Sequence, residues 1–573
     1  MASPSFSRVA GNSVQARIEV LRTRVQRRTL APVALLFLAG ANCALQILWL
    51  WRLSFRNINY DAVSYVGIAR HIADGDFRLS LHGYWSPLIS WLVAGVSMFS
   101  KDFTLAGRLL TVASFLVCLP AVYLLALRLW NSSTLAALAV FWFTTARGIA
   151  AFSAYFIGAD FLLTFCVLIY FVLLLECLRH SSLCNWFLLG IPHAFAFLSK
   201  AIAMPWLAVA TVAACSFSNT SPVKRKFFCA SVAMILPLLV WSSWGLALRS
   251  KYGHFTAGYQ LKWNLLSSDT REQLQRQSSN LVFLTDSSRT YDQYNVVDSM
   301  YPGFPLWKQK LSLTNASSLG LRKAVRNLAD ELKEFSILLT PGGVLGILLA
   351  ASVRRRKRGT PEAQLLYVAC LSSATLLLAY SPLVFDGARY ILPIVPVLIA
   401  LSMPFIWPGT LPPSGRPAPS TTLRQAAFAL LIVGTVFSQI YWASPFRSIR
   451  RDYQLSCYDA AAKLRALPSC TRLAVLGSGP FPEHGVGWEA GIYSAYFAGC
   501  RMVAFSPALP TPRQVEVANN DLKKAGADAI LVFGNPRDPA FTSFDPSPQQ
   551  RFSSEQILDP VLGQVGTLFW KAH

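Results

Sequence analysis

A series of long apolar segments, separated by clusters of lysine and arginine, constrains this chain more than any other feature of its sequence. Of its 573 residues, 53% are hydrophobic and only 14% are charged, whereas soluble proteins carry about 25% charged residues. The net charge of +24 lies largely in clusters between apolar segments, which indicates membrane topology rather than nucleic-acid binding. The sequence therefore predicts a polytopic α-helical membrane protein that contacts membrane lipids and no nucleic acid.

The apolar segments predict about eleven transmembrane helices. Segment 84–99 is apolar but only about 16 residues long and contains Pro87, so we interpret it as interfacial or re-entrant. With that interpretation, the basic clusters near the N-terminus, at 224–226 and at 354–358 all lie on the cytosolic side. The predicted spans are 31–51, 105–127, 134–150, 161–178, 186–198, 203–217, 227–248, 335–352, 362–383, 390–407 and 426–442.

The same pattern divides the chain into regions. Residues 1–30 are predicted to form a basic cytosolic tail, and residues 31–443 a transmembrane module. This module includes a first external loop with interfacial helices (52–104) and a long external loop (249–334), whose length favours a functional lid over a poorly ordered insertion. Residues 444–573 are predicted to form a small external α/β domain, with strands at 473–476, 502–505 and 529–533 and helices at 488–498 and 512–525.

Two features of the C-terminal region invite specific interpretations. Gly477-Ser478-Gly479-Pro480 follows a predicted strand, but it lacks the third glycine of a dinucleotide-binding fingerprint, so we interpret it as a plain turn between strand and helix. Cys457, Cys470 and Cys500 lie in this polar region. Two of them can pair if the region is outside the cytosol, and the sequence does not say which.

The most patterned stretch of the N-terminal half is residues 57–92, where Asp61 begins a helical pattern. Tyr65, Ile68, Ala69 and Ile72 fall on the same face of that helix as Asp61. One explanation is capping, in which Asn59 or Asp61 accepts backbone N–H bonds at the helix start. The other is a carboxylate held at the membrane surface for acid–base or metal chemistry.

Three further ionisable residues, Asp160, Lys200 and Arg389, are predicted to lie on the same external face as Asp61. Each has a simpler explanation: a turn residue for Asp160, a snorkelling side chain for Lys200, and a surface pair with Asp386 for Arg389. Together, two acids and two bases beside a large loop predict a site for an anionic, lipid-borne substrate. The cations would bind phosphate, and an acid would accept a proton from an acceptor.

Asp61, Lys200 and Arg389 lie in three of four motifs, and Asp160 lies outside them. In chain order the motifs are Tyr60-Asp61-Ala62 with Tyr65, Ala69 and Gly75; Gly83-Tyr84-Trp85-Ser86-Pro87-Leu88; Phe197-Leu198-Ser199-Lys200; and Gly387-Ala388-Arg389-Tyr390-Ile391-Leu392-Pro393. The chain thereby resembles the GT-C superfamily of polyprenyl-phosphate-sugar glycosyltransferases, in the branch of the protein O-mannosyltransferases and the lipid A aminoarabinose transferase. The resemblance covers roughly residues 31–407. Ser199 and Ala201 replace a threonine and a glycine of the family pattern, and Pro87 stands where many relatives have two prolines.

The resemblance implies a mechanism and roles for these residues. A sugar on a polyprenyl phosphate at the outer face would be attacked at C1 by a hydroxyl or amine of a lipid, glycan or protein acceptor, with inversion. Asp61 would be the catalytic base or would position the acceptor, and Asp160 would support substrate binding or a metal site. Lys200 and Arg389 would hold the lipid phosphate. Tyr65 and His82 complete the predicted substrate-binding set, and a divalent metal is possible but not assigned.

Two other classes of function remain open at this stage. A transporter or flippase of lipid-linked or polar substrates would use the intramembrane charges to line a path, and would be expected to show internal repeats or broken helices. The sequence contains no convincing repeat. A scaffold whose external domain is the active part would make Asp61 dispensable.

Overall fold

The computed structural model describes residues 30–51, 58–146, 148–217, 222–258, 282–283, 319–354, 359–381, 387–407, 420–448, 454–467, 472–477, 480–481, 485–506, 522, 526–533, 552–559 and 563–571. Helices dominate up to residue 448, and a small sheet occupies the C-terminal region. The predicted cytosolic tail and most of the long external loop lie outside the described residues.

The helices of the first half form one continuous series. They are α1 (Leu30–Trp51), α2 (Tyr60–Ala73), α3 (Phe77–Ser80), α4 (Leu88–Ser100), α5 (Phe103–Trp130), α6 (Ser133–Thr145), α7 (Ile149–Tyr155), α8 (Asp160–Arg179), α9 (Leu183–Ser199), α10 (Ala203–Phe217) and α11 (Val223–Tyr252).

The second half adds α12 (Leu319–Arg354), α13 (Pro361–Tyr380), the 3₁₀ turn Gly387–Tyr390, α14 (Val395–Ile406), α15 (Thr421–Ser448), α16 (Gln454–Ala466) and α17 (Gly487–Ala498). Helix α12 is kinked at Thr340, whose φ of 60° lies in the left-handed region, directly before Pro341. A proline cannot continue the hydrogen-bond ladder of the preceding turn, which accounts for the kink at this position.

Six of the described helices are long and apolar enough to cross a membrane, or seven if the bent pair α6–α7 counts as one span. Each of the eleven predicted spans overlaps a described helix, although span 134–150 falls on the bent pair α6–α7 and span 390–407 begins in the 3₁₀ turn before α14. Four of them, however, fall on shorter apolar helices: α9, α10, α14 and the Thr421–Phe437 part of α15. The chain is thus an integral membrane protein, and the number eleven stays a prediction.

Helix α8 shows how the two ends of the helical bundle differ. It has 20 residues, so it is about 30 Å long, the thickness of the hydrocarbon core. At its C-terminal end, Arg179 pairs with Glu362 at 3.0 Å, and Arg128 pairs with Glu176 at 2.9 Å. Asp160 begins α8 at the opposite end. The residues singled out as a candidate site therefore lie about one membrane thickness from this network.

The C-terminal sheet has six strands in the order β1-β5-β2-β6-β8-β7. Strand β2 (Arg472–Gly477) runs parallel to β5 (Arg501–Ser506) and β6 (Ala529–Phe533), and the remaining neighbours pair antiparallel. The other strands are β1 (Val282–Phe283), β3 (Pro480–Phe481), β4 (Gly485–Val486), β7 (Phe552–Asp559) and β8 (Gly563–Lys571), with β3 and β4 forming a separate pair. Strand β1 comes from the long external loop and extends this sheet at the edge of β5.

The three strands predicted in this region coincide with β2, β5 and β6, and the predicted helix 488–498 coincides with α17. The predicted helix 512–525 lies almost entirely outside the described residues. Helix α16 and strands β7 and β8 were not predicted, because the sequence of α16 has a weak 3.6-residue apolar period and those of β7 and β8 alternate weakly between apolar and polar residues. Cys457 and Cys500 are both buried and are not joined by a disulfide, and Cys470 lies outside the described residues.

Candidate active site

Two ion pairs form the centre of the candidate site. The guanidinium of Arg389 donates to a carboxylate oxygen of Asp61, and the Lys200 ammonium lies 2.6 Å from a carboxylate oxygen of Asp160. All four side chains are largely buried, and that of Asp160 is only 3% exposed. The four predicted residues therefore come together as two acid–base pairs, each with its acid and its base on different elements.

Helix α2 holds Asp61 in a fixed position because the helix is buried on nearly all sides. From Ala62 to Ala69 every residue is buried, as expected for a helix that is apolar all round. Tyr65, Ile68 and Ala69 pack in one cluster with Trp85 and with α4, and Ile72 packs against that cluster. The predicted apolar face is thus confirmed, and it fixes the rotation of the helix that carries Asp61.

The start of α2 is clamped to the segment that precedes α8. The side chain of Asn59 donates to the carbonyl of Ile157 at 3.0 Å and accepts from the Ile157 N–H at 2.8 Å. No side-chain capping bond is formed at Asn59, so the capping explanation proposed for this residue is wrong. Asp61 lies two residues after Asn59 and Asp160 lies three residues after Ile157, so the clamp holds the two acids near each other.

Asp160 and Lys200 occupy the ends of helices. Asp160 is the first residue of α8, where the partial positive charge of the helix N-terminus favours a carboxylate. Lys200 has an extended backbone at the junction of α9 and α10, where its N–H donates to the Ala196 carbonyl and its carbonyl accepts from the Ala203 N–H. The alternative of a snorkelling lysine does not describe this side chain, because it bonds directly to Asp160.

The ring of Tyr390 lies between the two cations. The Lys200 ammonium and the Arg389 guanidinium are each 5.0 Å from its centroid, and its hydroxyl accepts from Arg389 at 3.2 Å. The ring of Phe156 is 5.1 Å from the Arg389 guanidinium. Aromatic faces attract cations at these distances, so Tyr390 and Phe156 fix both charges in place.

Sequence reasoning did not place Tyr390 or Phe156 in the site. Tyr390 follows Arg389 in the last of the four motifs, and an aromatic residue next to a candidate binding arginine was the available signal. Phe156 carried no comparable signal. The alternative partner proposed for Arg389, Asp386, lies outside the described residues.

Tyr65 and His82 lie beside the pairs but play different parts. Burial raises the pKa of Tyr65, and the nearby carboxylates of Asp61 and Asp160 raise it further, so the phenol stays protonated. Nδ1 of His82 accepts from the N–H of Tyr84 at 3.1 Å and of Trp85 at 3.4 Å. This geometry makes His82 the centre of the turn that leads into α4, and its predicted phosphate contact stays a prediction.

Helix α11 holds the same turn from the other side. The Lys251 ammonium donates to the Leu81 carbonyl at 2.7 Å, and the Tyr252 hydroxyl accepts from the Gly83 N–H at 3.1 Å. The turn is therefore fixed between α2, α4 and α11, next to the ion pairs.

A cavity of about 1070 Å³ opens beside the site. Its walls are mainly apolar and come from α2, α3, α4, α9 and α11, with Leu81, Trp91, Leu198, Val240 and Trp244 among the lining residues. Leu81 precedes His82, and Leu198 is two residues before Lys200. The cavity is thus connected to the candidate site through the segments that carry His82 and Lys200.

The described residues contain no group of three His, Cys, Asp or Glu side chains placed to hold a metal ion. Asp61 and Asp160 are the predicted candidates for metal binding, and each is paired with a cation. A divalent metal at these acids would have to displace Arg389 or Lys200. The described side chains therefore do not fit a metal centre as they stand.

No protein-family model matches the sequence, and no curated protein matches it significantly. Solved membrane-protein structures do match the fold. The oligosaccharyltransferase of Archaeoglobus fulgidus, tethered to an acceptor peptide with an NVT sequon, matches with a TM-score of 0.53 at 14% identity, covering 88% of this chain and 69% of that chain.

Two further structures carry lipid phosphates. The oligosaccharyltransferase AglB of Archaeoglobus fulgidus, in complex with an inhibitory peptide and a dolichol-phosphate, matches with a TM-score of 0.50 at 12% identity, over 88% of this chain and 70% of that chain. ArnT from Cupriavidus metallidurans, bound to undecaprenyl phosphate, matches with a TM-score of 0.50 at 13% identity, over 94% of this chain and 97% of that chain. The chain therefore shares its fold with these structures, as expected from the resemblance carried by its four motifs.

Proposed function

We propose that this protein is a membrane glycosyltransferase that moves a sugar from a polyprenyl-phosphate donor to an acceptor hydroxyl or amine, with inversion at the sugar. The main observation behind the proposal is that two acid–base pairs, Asp61–Arg389 and Asp160–Lys200, lie around the ring of Tyr390. This cluster lies beside a large apolar cavity.

The donor would use both parts of this arrangement. Its polyprenyl chain is apolar and would occupy the cavity lined by Trp91, Leu198 and Trp244. Its phosphate would lie between Lys200 and Arg389, since these are the cations of the described site. The fold relatives support this reading, because ArnT holds undecaprenyl phosphate and AglB holds a dolichol-phosphate.

The ion pairs define what each residue would do in the reaction. Before the donor binds, Arg389 is paired with Asp61 and Lys200 with Asp160. A bound phosphate would compete for both cations and would free an oxygen of Asp61 to face the acceptor. Asp61 would then accept the proton of the acceptor hydroxyl or amine as general base.

The bond changes follow from this placement. The acceptor oxygen or nitrogen forms a bond to C1 of the sugar on the side opposite the phosphate. The bond between C1 and the phosphate oxygen breaks, and its electron pair stays with the lipid phosphate. Arg389 and Lys200 would stabilise the negative charge that develops there, which is often the largest contribution to catalysis. The divalent metal predicted as possible supplies no step in this scheme.

The distribution of charge supports one orientation of the protein in the membrane. The end of the bundle that carries Arg128, Arg179 and residues 224–226 would be cytosolic by the positive-inside rule. The acid–base pairs at the opposite end and the C-terminal sheet would then lie outside the cytosol. The predicted domain boundaries at residues 30 and 443 are part of the same proposal.

A transporter is the alternative that the sequence left open. The two ion pairs cluster at one end of the bundle and do not form a series of charges along a path through it. The kink in α12 and the bend between α6 and α7 are the broken helices expected of a transporter, but the placement of the ion pairs favours transfer.

The test is sugar transfer from polyprenyl-phosphate-sugar donors by the purified full-length protein in lipid vesicles. Asp61→Asn keeps the shape of the side chain and removes its basicity, so transfer should fall by about 10²-fold or more. Asp74→Asn makes the same chemical change at an exposed residue on the end of α2 and should transfer like the wild type.

Two outcomes would overturn the proposal. If the wild type transfers no sugar from any polyprenyl-phosphate donor to hydroxyl or amine acceptors, the protein is not a glycosyltransferase of this class. If Asp61→Asn transfers as fast as Asp74→Asn, the general base of the reaction lies elsewhere.

A further inference from the structure

The helix that carries Asp61 has a second apolar face that the membrane helices do not cover. Ala62, Val63 and Val66 are 0% exposed. They belong to one apolar cluster with residues of the C-terminal region: Cys457, Ala460 and Leu464 of α16 and Ala490, Tyr493 and Tyr496 of α17. The C-terminal domain, meaning here α16, α17 and strands β2–β8, therefore packs directly against the helix of the proposed catalytic base.

Polar contacts anchor this packing at the far end of α2. The Arg70 guanidinium, in the last turn of α2, is 5.0 Å from the ring centroid of Tyr496 and 5.7 Å from that of Phe103. The Tyr496 hydroxyl is hydrogen bonded to the Thr104 hydroxyl, in the first turn of α5. One tyrosine of the C-terminal domain thus contacts both α2 and α5.

Tyr496 is suited to this role by its surroundings. Its side chain is buried, and burial raises the pKa of its hydroxyl, so the hydroxyl keeps the proton that a hydrogen bond to Thr104 requires. The ring is held between Arg70 and the rest of α17. A side chain fixed in this way transmits the position of its domain to the helices that it contacts.

We propose that the C-terminal domain positions Asp61, and that Tyr496 is the positioning residue through which it acts. The inference rests on the proposed function of Asp61. With the Asn59–Ile157 clamp at one end of α2 and Tyr496 against Arg70 at the other, the helix is fixed at both ends. Loosening the Tyr496 end would let α2 rotate or shift, and Asp61 would lose its alignment with Arg389 and with the acceptor.

The experiment compares kinetic constants for Tyr496→Phe, Thr104→Val and the double variant in the full-length protein in vesicles. Each single variant removes the same hydrogen bond and keeps the ring or the side-chain shape. We expect kcat to fall about five- to tenfold, the effect of one hydrogen bond on the barrier, with KM for the lipid donor unchanged. The double variant should be no slower than either single variant, because both act through one bond.

Two further variants separate positioning from general loosening of the domain. Lys463 bonds only within the C-terminal domain among its described contacts, to Asp459, Glu555 and the Gln556 carbonyl. Lys463→Ala should therefore lower the thermal stability and leave kcat at the wild-type value. Arg70→Lys retains a cation beside the Tyr496 ring and should recover most of the kcat that Arg70→Ala loses.

The outcomes distinguish this inference from the proposed function. If Asp61→Asn is inactive while Tyr496→Phe and Thr104→Val keep the wild-type kcat, the positioning role is overturned and the glycosyltransferase proposal stands. If Lys463→Ala lowers kcat as much as Tyr496→Phe does, the effect reflects domain stability alone and the inference also fails. If the wild type shows no transfer, the proposed function itself has failed.

Discussion

Replacing Lys200 by methionine gives the sharpest test of the charge arrangement. The substitution keeps an apolar stem of similar length and removes the ammonium that lies 2.6 Å from Asp160. Because the Asp160 side chain is only 3% exposed, the variant leaves a buried carboxylate without its cation. Breaking a buried pair in this way costs about 3–5 kcal/mol.

The N-terminus of helix α8 stabilises the charged Asp160 carboxylate and so offsets part of that loss of stability. A carboxylate in the first turn of a helix gains about 0.3–1 kcal/mol, so we expect Lys200→Met to lower the free energy of unfolding by roughly 2–4 kcal/mol. Adding Asp160→Asn removes the unpaired charge and should restore most of the loss. The double variant should nevertheless transfer no sugar, because the phosphate would have lost one of its two proposed cations.

The assay is unfolding of the purified protein in mild detergent, followed by tryptophan fluorescence, together with sugar transfer in vesicles. Arg179→Met is the matched control, because Arg179 pairs with Glu362 at the opposite end of the bundle and both side chains are more exposed. That variant should cost at most about 1 kcal/mol. The reasoning is refuted if Lys200→Met is no less stable than Arg179→Met, or if the double variant is no more stable than Lys200→Met alone.

Three further predictions concern Tyr390, Asn59 and Tyr65. Tyr390→Ala should reduce transfer far more than Tyr390→Phe, measured as kcat, because the ring and not the hydroxyl contacts both cations; equal losses would contradict this. Asn59→Ala should cost about 1–3 kcal/mol in chemical denaturation, since it leaves the partly buried polar groups of Ile157 without the Asn59 bonds, and an unchanged stability would show that the clamp is dispensable. Because the folded-state pKa of Tyr65 lies above the usual value of 10.0, its contribution to stability is fully present below pH 10.0 and is lost as the pH rises toward the folded-state pKa. Tyr65→Phe should therefore flatten the fall in melting temperature above pH 10.0, and an identical fall in both proteins would exclude Tyr65 as its source.

Local properties of the chain determined the membrane class and the rough position of the helices. Hydropathy over about 20 residues is enough to recognise an apolar span, so each predicted span overlaps a described helix. The spacing of Tyr65, Ile68 and Ala69 after Asp61 likewise predicted a face that the structure confirms. Short helices such as α14 left the number of spans undetermined, because their length alone does not decide whether they cross the bilayer.

The predicted topology also indicated which ionisable residues belong to one site. Asp61, Asp160, Lys200 and Arg389 were assigned to one external face from the order of spans and basic clusters, and the structure brings them together. For Asn59, by contrast, the role predicted from the sequence was wrong. Its position before a helix favoured a cap, yet its side chain bonds the backbone of Ile157 instead, because that partner reaches it only after the helices pack.

Only the tertiary structure decided which acid meets which base. Arg389 pairs with Asp61, 328 residues away in the chain, although Asp386 is much closer in sequence. The shared ring of Tyr390 and the contact of Tyr496 with α2 and α5 were equally hidden, because they join segments from opposite ends of the chain. Sequence patterns report the surroundings of one segment, whereas these contacts depend on how separate helices pack. The amino-acid sequence therefore determined a membrane protein with acids and bases at one face, and the packing of its helices made them a site.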